Sequence, residues 1–524
     1  MKTLCLLVLS AVLAANLGDF SASLVRLLGL ESVESLSETL VEHYEQMSSH
    51  PQDINTSSRA ELLSTGFFTP FQVASILDYI AANGPILSFF ELSGIIGIGE
   101  QMADDLRWFF RCDPPRGQSL KSNRAHRSDV KFTGSIRESV RPSGVGTLAK
   151  CELAYGEKAT ALMAIRDDRP AFSVSLNGRR HLEKLVVGGF NARFAQGLLL
   201  WNGFSMSGLY DLAGFSRNPT GLSSSVSSAS LVGMASTWSW KRCALGIGLA
   251  EGGLAIMNYG FYTARGSYSL TALYENGACG ASVDMKATLG LFTFWTEGAL
   301  YYKDGVLGLA AVGGLYCNIA YRKRVGAFVK ARSESFSVQN SNVTGLKPGQ
   351  SAVGLGADWQ AFSAVGEVLF RGQELSARGL EKWNWTAMWG EFQIEGELRH
   401  SWKYASGMKN ELRASVSASG EPFYYGGRVQ VQKGKDWSGL CYLEAGLRQA
   451  LCRVLYFDAR KWDDRLYAYA RDVPGSFSVP AYYGKGLECS LFARDSKRWA
   501  IKAGYTFYFS DKADKWEVKA YVRF

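Results

Sequence analysis

Beyond its first 20 residues, this 524-residue sequence has no uncharged apolar run long enough to cross a membrane as a helix. That excludes a bundle of transmembrane helices. Proline is scarce, at 12 residues, and histidine scarcer, at five. No glycine period or low-complexity tract suggests collagen or disorder. The nine cysteines form no C-x-x-C, so zinc and redox chemistry have no support. After Cys5 come Cys112, Cys151, Cys243, Cys279, Cys317, Cys441, Cys452 and Cys489, which read as single small residues on separate strands rather than a disulfide framework. His43, His50, His126, His181 and His400 are too scattered for a local metal motif, although His181 and Glu183 could share a strand face. Nucleophile-elbow, zincin, P-loop and dinucleotide-binding patterns are absent. Adjacent carboxylates such as Asp167-Asp168 and Asp463-Asp464 would point to opposite faces of a strand and could not act on one substrate. The chain reads as a non-enzyme with no cofactor and no metal.

What is present divides it in two. Lys2, the apolar run Leu4 to Leu13 and the small residues at Ala14 and Ala15 read as a signal peptide over 1–15. Residues 19–113 carry about −10, against +9 for the whole chain. The sign changes at Pro114-Pro115-Arg116-Gly117, and 114–128, with Lys121, Arg124 and Arg127, reads as a basic linker. A second domain, 129–524, carries the positive excess.

The acidic domain has helical periodicity. Val33, Leu36, Leu40, Tyr44 and Met47 recur at spacings of three and four, with Glu34, Glu38, Glu42 and Glu45 on the other faces. Ser58-x-x-Glu61 can form a capping box. Phe71 to Ile80 predicts a further helix closed by Asn83-Gly84-Pro85, and Gly97-Ile98-Gly99 predicts a tight turn between two short helices. A turn of that kind exposes backbone amides suited to a phosphate oxygen.

Asp53-Ile54-Asn55-Thr56, Ala82-Asn83-Gly84-Pro85 and Ile96-Gly97-Ile98-Gly99, in that order and spacing, resemble the tandem helix-hairpin-helix domain of the competence protein ComEA over about 53–112. The resemblance implies binding of DNA phosphates by the amides of Gly97, Ile98 and Gly99. This copy departs from the pattern: the first hairpin, Leu63 to Thr69, lacks a second glycine, and Glu100, Asp104 and Asp105 stand where cations would help. An acidic module repels a duplex. A protein-docking adaptor is therefore the leading expectation, with Phe67, Phe68, Phe89 and Phe90 as its candidate contacts, and DNA is the alternative partner.

From about Val130 the period falls to two, in segments of roughly ten residues separated by turn residues. Trp516, Val518, Ala520, Val522 and Phe524 alternate with Glu517, Lys519, Tyr521 and Arg523. Trp238, Trp240, Trp295, Tyr301, Trp359 and Trp402 fall near segment ends, where membrane interfaces recruit aromatics. The terminal Phe524 resembles the assembly signal of bacterial outer-membrane proteins. The expected fold is mainly β, a large antiparallel transmembrane barrel of about 16–22 strands preceded by a small all-α domain. Lipid and the outer-membrane assembly machinery are implied partners.

The whole resembles a group of Bacteroidota outer-membrane proteins that join a helix-hairpin-helix module to a barrel. Gly189 to Trp201 and the stretches Tyr467-Ala468-Tyr469 and Pro480 to Gly486 carry that likeness. Residues 458–465, rich in both charges, could line a lumen or brace a loop. Three roles follow: an outer-membrane barrel with its helical module docking a periplasmic protein, a passive channel biased toward anions if the excess Lys and Arg face inward, and a DNA-uptake component.

Overall fold

In a computed structural model most of the chain is antiparallel β-structure. It describes residues 20–28, 41, 44–45, 47–48, 51–57, 62, 65–68, 70–95, 97–112 and 130–524, the last apart from 156–157, 179–180, 203–211, 218, 229, 241, 264–265, 321–322, 339–344, 360, 391, 406, 421, 448, 475, 477–478, 496–497 and 511. The expected signal peptide, linker and capping box at Ser58 lie outside the described residues.

Helices α1 (Phe20–Leu28), α2 (Pro70–Asn83), α3 (Phe89–Ser93) and α4 (Glu100–Leu106) make up the acidic module, tied by a short parallel pair, Gln52–Asp53 with Phe110–Arg111. Gly84 ends α2 at φ 87°, the left-handed conformation that glycine alone adopts without cost. Ser88 caps α3 by accepting the Glu91 N–H at 3.2 Å. The module has its own core, with Leu24, Tyr44, Ile54, Val73 and Phe109 buried. Phe67 and Phe68 belong to that core, at 3% and 1% exposure, which corrects their expected role as docking contacts; Phe90 is 83% exposed.

Twenty-four strands close into one barrel, Val130–Arg141 pairing with Lys515–Arg523. The range of 16–22 strands was too low. Most connections are tight turns, such as Asn276-Gly277 and Asp304-Gly305 with both residues at positive φ, so a strand uses about 16 residues rather than about 20. At the end that holds Val130 and Phe524 the described strands are joined by two to four residues; at the other end three connections are long, 194–230, 333–350 and 460–483. Outer-membrane barrels keep short turns on the periplasmic side and long loops outside.

Alternation sorts the wall. Val130, Phe132, Ile136, Leu270, Val283, Leu355, Leu443, Leu491, Val518 and Val522 are exposed on the outer face, an apolar surface suited to lipid. Trp240 and Trp359 sit outward at strand ends, as expected, but Trp295 and Tyr301 are 1% and 2% exposed and face inward. All seven barrel cysteines share the outer register, for example Cys279 beside Ala281 and Val283. There they act as small apolar residues.

Candidate functional site

The lumen is where the sequence puts its charge and its irregular backbone. The strand Leu182–Arg193 leaves the wall at Gly188, φ 99°, where a Cβ would meet the Phe172 carbonyl oxygen at 2.4 Å. Residues 190–200 then run buried inside the ring. Glu297 holds this segment: its carboxylate accepts the Gln196 and Leu198 N–H groups at 2.8 and 3.0 Å. Arg217 donates to the Gln196 carbonyl at 3.2 Å and lies over the Trp201 ring. The wall makes room with glycine, Gly280 beneath Leu199 and Gly246 beneath Phe194 and Leu222.

Phe336, Val338 and Leu346 enter next, packing into the same core. Arg332 donates to the carbonyls of Phe336 at 2.8 and 3.0 Å and of Leu346 at 3.1 Å, and fully buried Phe336 covers Gly308. In 460–483, Leu466–Tyr467 pairs with Ala481–Tyr482 as an internal ribbon. Asp472 then anchors the strap to the wall. Its carboxylate lies 2.6 Å from Lys519 Nζ and 3.7 Å from Lys502 Nζ, with the Asp472 and Lys519 side chains each 1% exposed. The mixed-charge run 458–465 braces the entry to this strap. Lys461 pairs with Asp436 at 2.8 Å, and Asp464, buried, accepts the Asp436 N–H at 3.2 Å. The Lys461 ammonium holds the Asp436 carboxyl below its ordinary range.

The helical module completes the filling. Helix α2 lies against the inner face of strands Gly266–Glu275 and Ala278–Leu289, whose outer residues Leu270 and Val283 are exposed. Tyr44 is within electrostatic reach of Arg193, and Glu45 of Tyr521 on the last strand, almost half the ring away from α2's contact. The module therefore reaches across the lumen. Burial raises the Tyr44 phenol above its ordinary range, and its hydroxyl donates to the Thr65 carbonyl at 2.9 Å.

The candidate hairpin is two glycines at positive φ, 93° for Gly97 and 75° for Gly99, flanking Ile98, which is 5% exposed and points into the module core. The Gly97 carbonyl accepts Gln72 Nε2 at 2.7 Å. In the helix that follows, Asp105 is buried and bonded to Arg26 at 2.7 and 2.9 Å, and Asp104 pairs with Arg107 at 3.0 Å. At the other end of the chain, the backbone N–H and C=O of Phe524 both bond Gly134 at 2.9 Å, and its ring lies over that glycine. Phe524 thus closes the last strand on the first. His181 stacks on Trp240 at 5.8 Å, and no group of three metal-ligating side chains occurs among the described residues.

The inner wall is basic. Among the described wall residues, buried Lys286, Lys382, Arg413, Arg453, Lys502 and Lys519 outnumber buried Asp284, Glu297 and Glu367, with part-buried Glu397, Glu411 and Glu517 and the strap's Asp472 pairing some of them. Alternation alone could have found these lysines and arginines, because each falls on the strand face opposite the exposed apolar residues, whereas buried Arg193 lies in a stretch with no such alternation. The segments at Gly189 to Trp201 and Tyr467 to Tyr483 were visible as unusual runs, but their inward course was not.

No protein-family model and no curated protein matches this sequence. Among solved structures, the chain is similar to the translocation pore of the P pilus usher PapC (8% identity, 75% of this chain and 99% of that one, TM-score 0.38). It is also similar to OccK5 of Pseudomonas aeruginosa (8%, 76% and 97%, 0.30) and to the copper transporter OprC (7%, 76% and 81%, 0.34). The closed 24-strand ring, with its apolar outer face and terminal closure, is a barrel of the outer-membrane type.

Proposed function

We propose that this chain is a plugged outer-membrane passage, biased toward anions, in which the helical module is a stopper that a periplasmic protein displaces. The observation that carries the reading is the basic inner wall of a ring far wider than its own side chains can fill, occupied by segments attached through discrete polar anchors. A lumen built only to hold lipid apart would be apolar and narrow. The module's core is separate from the wall clusters, so it can move as one body. Exposed Leu87 and Phe90, 59% and 83% exposed, are its apolar handles for a partner. Docking through this module and passage through the barrel are then one function. Among the described residues, none of Gly97, Ile98 and Gly99 carries a cation for a DNA phosphate.

The test is conductance in planar bilayers. The intact chain is expected to be nearly silent, and a variant lacking 19–128 to conduct with anion preference under a salt gradient. Equal currents from both, or cation preference in the opened form, would overturn the proposal.

A further inference from the structure

Glu381 and His400 break the apolar pattern of the barrel's outward face. They stand directly opposite each other on the neighbouring strands Glu374–Trp389 and Phe392–Tyr404. Leu380 and Lys382, on either side of Glu381, are buried in the inward register, whereas Trp383 and Leu398, the next outward pair toward the turn end, are exposed. His400 is four residues from Tyr404 and eight from Phe392, the aromatics at the two ends of its strand. At about 3.3 Å per residue and a tilt of about 40°, those are about 10 and about 20 Å along the barrel axis. The pair therefore lies well inside an apolar band about 25 Å tall. Its outward neighbours across the ladder, Ala364 beside Glu381 and Leu412 beside His400, carry no charge.

Such a pair is poorly served by lipid. Ionisable side chains at membrane depth face protein or water rather than acyl chains. His400 Nδ1 lies 3.5 Å from Glu381 Oε2, with the two side chains 34% and 39% exposed. The imidazole Nε2 and the second carboxylate oxygen have no partner among the described residues. The shape of the surface is a second observation. On the far side of Glu381, Ala364 and Gly366 form a shallow trough, where a Cβ at Gly366 would meet only the Arg378 carbonyl oxygen, at 3.8 Å. On the far side of His400, Leu412 stands out as a ridge, 50% exposed.

We infer that this outward face is an interface between two copies of the chain within the membrane. A two-fold axis along the bilayer normal, passing between the two strands, sets Glu381 of one copy opposite His400 of the other, and the reverse. Opposed residues on neighbouring strands are about 5 Å apart at Cβ, so the four groups close into one ring in which acid and imidazole alternate. The same rotation turns the Leu412 ridge toward the trough at Ala364 and Gly366, and small residues there let the second wall approach. The patch is self-complementary in charge and in shape. The interface is independent of whether the lumen conducts.

The experiment is sedimentation equilibrium of the full-length folded chain in density-matched detergent micelles. A reversible dimer is expected, weakened tenfold or more by Glu381→Leu with His400→Leu, which leaves an apolar wall, and unchanged by Val283→Ala on another side of the ring. Glu381→His alone sets imidazole against imidazole, and His400→Glu alone sets carboxylate against carboxylate. Each is expected to dimerise at least tenfold more weakly than wild type, and the two mixed in equal amounts to regain the dimer. A pair serving only its own wall would not produce mixed dimers. Should a single variant fail to fold, the exchange Glu381→His with His400→Glu restores the pattern and is expected to dimerise as wild type does. A monomeric wild type, a dimer indifferent to the leucine pair, a mixture that sediments as its separate components, or a monomeric exchange variant overturns the interface.

Discussion

Asp472→Ala should unlatch the strap from the inner wall. In the folded chain the carboxylate sits between Lys519 Nζ at 2.6 Å and Lys502 Nζ at 3.7 Å, accepts the Val473 N–H at 2.9 Å and lies 3.2 Å from Ser476 Oγ. Removing it takes the carboxylate from Lys502 and leaves Lys519, 1% exposed, with Glu517 at 3.4 Å. Breaking a buried pair from one side costs about 3–5 kcal/mol. If only about 3 kcal/mol of that falls on the strap, its detached population rises roughly 100-fold. Trypsin cleavage after Arg471, whose guanidinium lies 4.4 Å from the Tyr424 ring in the closed form, reads that population directly. The double variant Asp472→Leu, Lys519→Met removes both signs and should cleave much more slowly than the single one. Equal cleavage of wild type and Asp472→Ala, with both barrels intact, would refute the latch.

Two further expectations concern closure and pH. Gly134→Val places side-chain atoms where a Cβ alone would come within 2.3 Å of the Phe524 ring; it should lower barrel stability by about 1–3 kcal/mol, and with Phe524→Ala the two costs should be less than additive in denaturant unfolding. In the module, Glu91 accepts the Leu87 N–H at 2.8 Å and the Tyr79 hydroxyl at 2.7 Å, and these bonds depress its carboxyl below the ordinary 4.5. Its contribution is therefore complete above about pH 4.5 and lost as pH falls through the lower folded value. Glu91→Gln should flatten that acid dependence of module unfolding, measured by fluorescence; an unchanged acid slope would count against the assignment.

Much of the barrel was legible because one face of each strand meets lipid: the alternation at 499–509 and 515–524 holds residue by residue, and Phe524 closes the ring. Strand number was not legible, since it depends on turns of two residues that composition does not resolve. Trp295 and Tyr301 misled for a related reason. An aromatic near a segment end satisfies either a belt or a packed lumen, and only the register, which sets Trp295 opposite Gly314, decides between them. The turn at Gly97 and Gly99 was legible from glycine chemistry alone. The burial of Phe67 and Phe68 and the reach of the module across the lumen were not, because each arises from contacts between segments far apart in sequence.

The outward register of the seven barrel cysteines bears on how the molecule is made. Thiol exchange proceeds through the thiolate, and a thiolate has no stable existence in hydrocarbon. Before insertion these sulfurs are open to any oxidant they meet; afterwards the bilayer covers them and holds them out of reach. Membrane entry is therefore also the step that retires the chain's redox chemistry, so cross-linked by-products should accumulate only from molecules whose insertion is delayed.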